Sequence, residues 1–320
     1  MIKIFRILLL VPFFTPQVIF GHDNHSLKTI AELHVEQFSD SVYLISAPLE
    51  GPNKENEGFI ANTGFVITDD GVVVVDPGSS VQIGRELLGK ISTVTALPVL
   101  AVFNTHVHGD HWLGNQAIVE RYPDVRIYAH TRMLERLEEG EGEQWVRIMS
   151  QLTEGATDGT EVVPPNLPVD HGDEIAVGNT HFVIHYRGKA HSDTDIMIEV
   201  AEDKTMFMGD IVMVGRISSQ PQDGDILGQI DAIDYAVGTG NLRYIPGHGK
   251  AGDADVAKEA QIFLQTLYNS VTKYFEEGLE PSDMKPHVEK DLAAYKNWSG
   301  FESLGRVISF TYIKVEEELF

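Results

Sequence analysis

Three histidines and an aspartate fall within six positions at His106-x-His108-x-Asp110-His111, directly behind the apolar run Val99–Phe103. No other stretch constrains the chain as tightly. An apolar run of this length reads as a buried strand, so the cluster falls at the strand's C-terminal end, where α/β proteins tend to place their sites. In extended chain His106 and His108 project the same way. Imidazole nitrogens with one carboxylate suit zinc, with iron, manganese or cobalt as weaker matches. Four ligands from one loop cannot all close a tetrahedron around one ion, so the adjacent Asp110 and His111 can turn to a second.

The 320 residues contain no cysteine, which rules out disulfides, thiolate zinc sites and thiol nucleophiles. Any metal site must then be built from histidine and carboxylate. Forty-eight acidic residues stand against 24 basic ones, a net charge of −24 without a compact basic cluster, and this argues against nucleic acid or an anionic membrane as partner. A small-molecule substrate is the expected partner, and nothing indicates an oligomeric state. Residues 1–21 carry Lys3 and Arg6 ahead of the apolar run ILLLVPFF at 7–14, the pattern of a secretory signal and too short a run to span a bilayer. A secreted or periplasmic protein is expected, or a cytoplasmic one if that segment is not a signal.

Along the rest of the chain, 35–47 reads as two short strands and 51–58 (GPNKENEG) as a polar hairpin loop of unassigned role. Residues 65–68 and 72–75 form a hairpin whose second strand, four valines with no polar face, is buried on both sides and ends at Asp76. A helix follows over 80–91. Helical spacing recurs over 112–122 and 131–152, and six charged side chains inside 135–143 read as a solvated face. The strand at 179–187 leads to His191. The hairpin of 196–200 and 205–208 repeats the earlier device, a buried strand with a terminal aspartate, here Asp210. The strand at 242–245 leads to His248. Beyond it, Asp253 caps a helix over 254–275 whose apolar residues recur every three and four positions. Five histidines and two aspartates are what two metals need if one carboxylate bridges them. Residues 28–250 therefore read as one domain, with a helical C-terminal part, 251–320, packing on it. The other eight histidines (22, 25, 34, 130, 171, 181, 185 and 287) suit surface or core roles.

Val75-Asp76-Pro-Gly, Thr105-His-x-His-x-Asp-His111, Ala190-His191-Ser, Met208-Gly-Asp210 and Pro246-Gly-His248-Gly, in that order, resemble the motifs of the metallo-β-lactamase fold superfamily over most of residues 35–250. The resemblance implies an α/β fold, a four-layer αββα sandwich with the site along one edge. It implies that His106, His108 and His191 hold one metal, that Asp110, His111 and His248 hold the other, and that Asp210 bridges them. Asp76 would stand behind, orienting the histidine loop. Lactamases of the best-known zinc class carry Cys at the Asp210 position and a substrate-binding Lys three residues on, where this chain has Met213. Glyoxalase II usually continues the histidine motif with Gly-Gly, where this chain reads Trp112-Leu-Gly. The nearest likeness is to exported metallohydrolases associated with quinoprotein-relay and sulfur-oxidation operons.

The resemblance implies a hydrolase with two Zn²⁺ ions, alternatively Fe or Mn, in which a hydroxide held between the metals attacks an ester, lactone, thioester or related bond. Asp110 would hold the nucleophile's proton. Arg216 is a candidate contact for an anionic substrate group. Hydrolysis of β-lactams and iron-dependent persulfide or oxygen chemistry are the alternatives.

Overall fold

A computed structural model of the chain describes residues 34–217 and 224–319, so the export segment expected at 1–21 lies outside the described residues. Seven strands hydrogen-bond in chain order into a first sheet: β1 (Glu36–Gln37), β2 (Val42–Ile45), β3 (Thr63–Ile67), β4 (Val72–Val75), β5 (Val99–Phe103), β6 (Arg126–His130) and β7 (Leu167–Val169). The first four are antiparallel and the last four parallel. A second sheet has the order β12-β11-β10-β9-β8, from β8 (Glu174–Val177), β9 (Thr180–Tyr186), β10 (Ile196–Val200), β11 (Thr205–Met213) and β12 (Arg243–His248). Its strands are antiparallel except for the parallel pair β11 and β12.

The helices among the described residues are α1 (Val81–Val94), α2 (Gly109–Trp112), α3 (Asn115–Arg121), α4 (Thr131–Glu138), α5 (Glu141–Leu152), α6 (Ile226–Gly238), α7 (Ala254–Glu276), α8 (Pro281–Asp291) and α9 (Leu304–Leu319). The four-valine strand β4 shows why the layers stack as they do. Val73 and Val75 join the core between the sheets, with Phe103, Phe182 and Ile198, while Val72 and Val74 join the core under α1 and α3, with Ile83, Leu87 and Ile118. Each such valine is worth about 1.5–3 kcal/mol when fully buried, so this strand requires cover on both faces. On the far side, Phe263, Leu267 and Val271 of α7 share one core with Met206, Met208 and Ile211 of β11, and α8 and α9 close over it. The result is the expected αββα sandwich with its helical C-terminal part. No helix among the described residues is long and apolar enough to cross a membrane.

Several boundaries differ from the sequence reading. The helical stretch 131–152 is broken at Gly140, whose φ of 93° only glycine adopts readily, and 112–122 is broken after Trp112. Two of the charges expected on a solvated face turn inward: Arg136 Nε lies 2.6 Å from Glu141 Oε2, and Arg136 Nη1 lies 2.7 Å from Asp193 Oδ1. The strand β11 does not end at Asp210 but runs on to Met213, with register shifts on either side of Gly209. The loop 51–58 is folded on itself by the reciprocal bonds Asn53 N to Asn56 Oδ1 and Asn56 N to Asn53 Oδ1, both 2.9 Å, with Asn56 fully buried.

Candidate metal centre

The site forms where β4, β5, β11 and β12 end along one edge of the sandwich. Asp76, the residue after β4, has φ 53°, a left-handed conformation that aspartate tolerates better than most side chains. Its Oδ1 accepts from Thr105 N at 2.8 Å, and its Oδ2 accepts from Thr105 Oγ1 at 2.7 Å and faces His111 Nδ1 at 2.8 Å. A carboxylate can only accept, so His111 Nδ1 donates and Nε2 is the nitrogen turned into the site. Thr105 Oγ1 gives its hydrogen to Asp76 and so accepts from His106 Nδ1 at 3.0 Å, and His106 Nε2 is turned into the site as well. His248 Nδ1 donates to Ile60 O at 2.7 Å, with the same consequence for its Nε2. Three backing partners thus fix three tautomers, as partners behind metal ligands do.

The ligand-type atoms fall into two groups, His106, His108, His191 and Asp210 in one and Asp110, His111 and His248 in the other, each with its atoms within 4.8 Å of one another. Asp210 faces both. Its Oδ2 lies 3.4 Å from His191 Nε2 and 3.9 Å from His106 Nε2, while its Oδ1 lies 3.2 Å from His111 Nε2 and 3.3 Å from His248 Nε2. His191 Nε2 and His108 Nδ1 are 3.0 Å apart. Asp110 Oδ2 stands 3.3 Å from His248 Nε2 and 3.6 Å from His111 Nε2 and borders the cavity.

His106 Nε2, His111 Nε2 and Asp210 Oδ1 are buried without a hydrogen-bond partner. Leaving such atoms unmatched costs about 1–3 kcal/mol each, so their convergence calls for a cation. The donor set, imidazole nitrogens and carboxylate oxygens without sulfur, fits zinc. The charges respond to one another in the same sense. Burial, followed by the neighbouring His111 and His108, holds His106 well below its usual range, and burial takes His191 down to about 3. Burial opposes charge on His111 and His248, yet Asp210 above all raises both. Burial also opposes ionisation of Asp210 and Asp110, but the histidines beside them hold both carboxyls far below the usual range.

Close backbone approach makes this packing possible. A Cβ on Gly247 would stand 2.0 Å from Asp210 Oδ1, and one on Gly209, at φ 50°, would stand 2.8 Å from Thr105 Cβ. Other supports were not singled out from the sequence. Asn62 Nδ2 donates to Pro246 O and Gly249 O, both at 2.8 Å, and so pins the loop that carries His248. Thr194 Oγ1 accepts from Val107 N at 3.1 Å and ties the His191 loop to the His106 loop. Gln229 Nε2 donates to Asp210 O and Ile211 O. Lone polar residues without spacing carry no signal that would have found them.

A cavity of about 810 Å³ opens over the clusters. Arg216 lines it, half-buried, with Nη1 3.4 Å from His248 Nδ1 and 3.5 Å from Glu50 O. Of the remaining histidines, His22 and His25 lie outside the described residues. His34, His130, His171, His181, His185 and His287 lie outside both clusters.

A sequence profile described as the metallo-beta-lactamase superfamily matches residues 56–248. The chain belongs to that superfamily. All seven clustered residues fall inside the matched stretch. Among superfamily proteins similar to it, a hydroxyacylglutathione hydrolase of Francisella tularensis subsp. holarctica is 25% identical over 183 residues, 55% of this chain and 58% of that protein. One of Microcystis aeruginosa is 31% identical over 120 residues, 34% of this chain and 44% of that protein. The chain thus spans about half the length of these relatives. A solved metallo-beta-lactamase from Pontibacter korlensis superposes with a TM-score of 0.58 at 20% identity, covering 73% of this chain and 99% of that one, a likeness of fold.

Proposed function

We propose that the protein is a dinuclear zinc hydrolase that cleaves an acyl bond of the ester or thioester kind. The observation that carries this reading is Asp210, whose two oxygens face separate groups of imidazole nitrogens. His106, His108 and His191 would hold one ion, Asp110, His111 and His248 the other, and Asp210 both. Two bound zinc ions would supply an activated water at neutral pH and an electrophile for the carbonyl oxygen. The chain's own residues do the remaining work. Asp110, an ionised carboxylate at the floor of the cavity, is placed to hold a proton of the attacking water. Asp76, Thr105 and Ile60 keep His111, His106 and His248 in the tautomers that present Nε2. The thioester arm is supported by the relatives named as hydroxyacylglutathione hydrolases.

Elemental analysis of purified protein tests the metal content independently of turnover, with two zinc equivalents expected. One iron with oxygen-dependent turnover would overturn the reading. A panel of an acyl thioester, an acyl-homoserine lactone, a phosphodiester and a chromogenic cephalosporin tests the bond. Turnover of the cephalosporin alone, near about 10⁶ M⁻¹s⁻¹ and so well within the enzyme range, would replace it with lactam hydrolysis.

A further inference from the structure

The cavity above the clusters has both an apolar and a cationic lining. On the side of the His106, His108 and His191 group, the ring of Trp145 in α5 lies 5.0 Å from that of His108. Ile148 and Leu152 follow along the same helix and line the same cavity, and both are left open to water, 37% and 50% exposed. Positions 145, 148 and 152 share one helix face, and at 1.5 Å per residue they form an apolar stripe about 10 Å long leading away from the metal ligands. The stripe is held in place. Arg136 ties the start of α5, through Glu141, to Asp193 in the His191 loop, and Trp145 Nε1 donates to Glu141 Oε1 at 3.2 Å.

The same cavity is also lined by cationic side chains: Arg216, whose Nη1 lies 3.4 Å from His248 Nδ1, Lys189, two residues before His191, and Arg306 of α9. None of the three has an acidic partner within ion-pair distance among the described residues, whereas Arg136, which lines the same cavity, is paired with Glu141 and Asp193. In a chain of net charge −24, anions are repelled at long range, so three cations without acidic partners in a cavity that also holds Asp110, Asp210 and Glu141 make a local attraction for an anionic group.

We propose, resting on the hydrolase reading above, that the substrates are anionic amphiphiles. An apolar acyl chain lies along Trp145, Ile148 and Leu152, and an anionic group on the leaving side of the scissile bond is held by Arg216, Lys189 and Arg306. In the reaction water adds to the acyl carbon and the bond to sulfur or oxygen breaks. The products are the free acid from the apolar half and a thiol or alcohol that keeps the anion and takes the proton.

The test separates binding from turnover. S-alkyl-3-mercaptopropionates, thioethers that cannot be hydrolysed, are titrated calorimetrically into the zinc-loaded protein with alkyl chains from butyl to decyl, beside their uncharged amides. Affinity is expected to rise two- to fourfold per methylene, and the carboxylates to bind about tenfold tighter than the amides. Ile148→Ser and Leu152→Ser, at exposed positions, should flatten the chain-length slope while keeping the carboxylate preference. Lys189→Ala and Arg306→Ala, also exposed, should do the reverse. Affinity independent of chain length, or unchanged slopes in the variants, would overturn the proposal. The matching S-acyl thioesters supply the second arm. If the thioethers bind as expected and no thioester is cleaved, the hydrolase reading fails and the amphiphile site stands. If thioesters are cleaved without regard to chain or charge, the hydrolase reading stands and the proposal fails.

Discussion

Asp76, directly after β4 in one half of the sandwich, and Asp210, inside β11 in the other, are the same residue type, yet their surroundings are opposite. Asp76 is fully used by the protein, with Thr105 N, Thr105 Oγ1 and His111 Nδ1 all within 2.8 Å. Asp210 Oδ1 is buried without a hydrogen bond. A buried carboxylate with three partners stabilises a loop, whereas one without hydrogen-bond partners among converging imidazole nitrogens fits a cation. One aspartate therefore serves the fold and, through the fold, the ligands. The other would itself be a ligand.

The largest effect that would break this contrast comes from Asp210→Ala. It should lose at least one of two zinc equivalents by elemental analysis and lower kcat/KM by about a thousandfold or more, the scale of a lost transition-state contact, while the metal-free protein still unfolds cooperatively. Asp76→Ala should act in the other order. Melting of the metal-free protein should show a loss on the order of 3 kcal/mol from the stranded Thr105 and His111 donors, and zinc affinity should fall about 10- to 100-fold. If the metal-free melts of the two variants are interchangeable, the distinction fails.

A finer test uses protons. In the metal-free protein Asp210 and its neighbours raise His111 and His248, so these rings hold protons that zinc must displace. Zinc affinity should therefore rise with pH, by about tenfold per unit for each proton released, and calorimetry in buffers of different ionisation enthalpy would count those protons. The smallest effect is expected at His130, which accepts from Arg132 N at 3.2 Å at the start of α4 and stacks on Tyr186. His130→Ala should keep both metals and cost about 1 kcal/mol of stability, the worth of a helix cap.

The seven ligand-type residues were legible because each sits near the end of an apolar strand, a pattern that sequence displays openly. The supporting layer was not. Asn62, Thr194 and Gln229 act through long-range hydrogen bonds to backbone carbonyls and amides, which leave no periodicity. The kink at Gly209 and the extension of β11 to Met213 depend on contact with β12, a partner distant in sequence. The strands β7 and β8 are three and four residues long, too short to show alternation, and α6 is capped by Asp225 but apolar on nearly every side, which hides its helical face. Sequence marks Arg216 as a candidate anion contact only through its nearness to the end of a strand. Its place in the cavity is set by the tail, where Ser299 N donates to Gly215 O at 2.9 Å and Ile217 N donates to Ser299 O at 2.8 Å.

That clasp divides the labour of the molecule along the chain. Every residue that would hold a metal comes from within 56–248, whereas Arg306 comes from the tail beyond it and Arg216 is gripped by that tail. The reacting apparatus and part of the selecting apparatus are therefore encoded in separate, consecutive pieces of sequence. The two pieces are not independent, because α7 to α9 share one core with β11, the strand that carries Asp210, so a change in the tail reaches the metal ligands through packing as well as through Arg306.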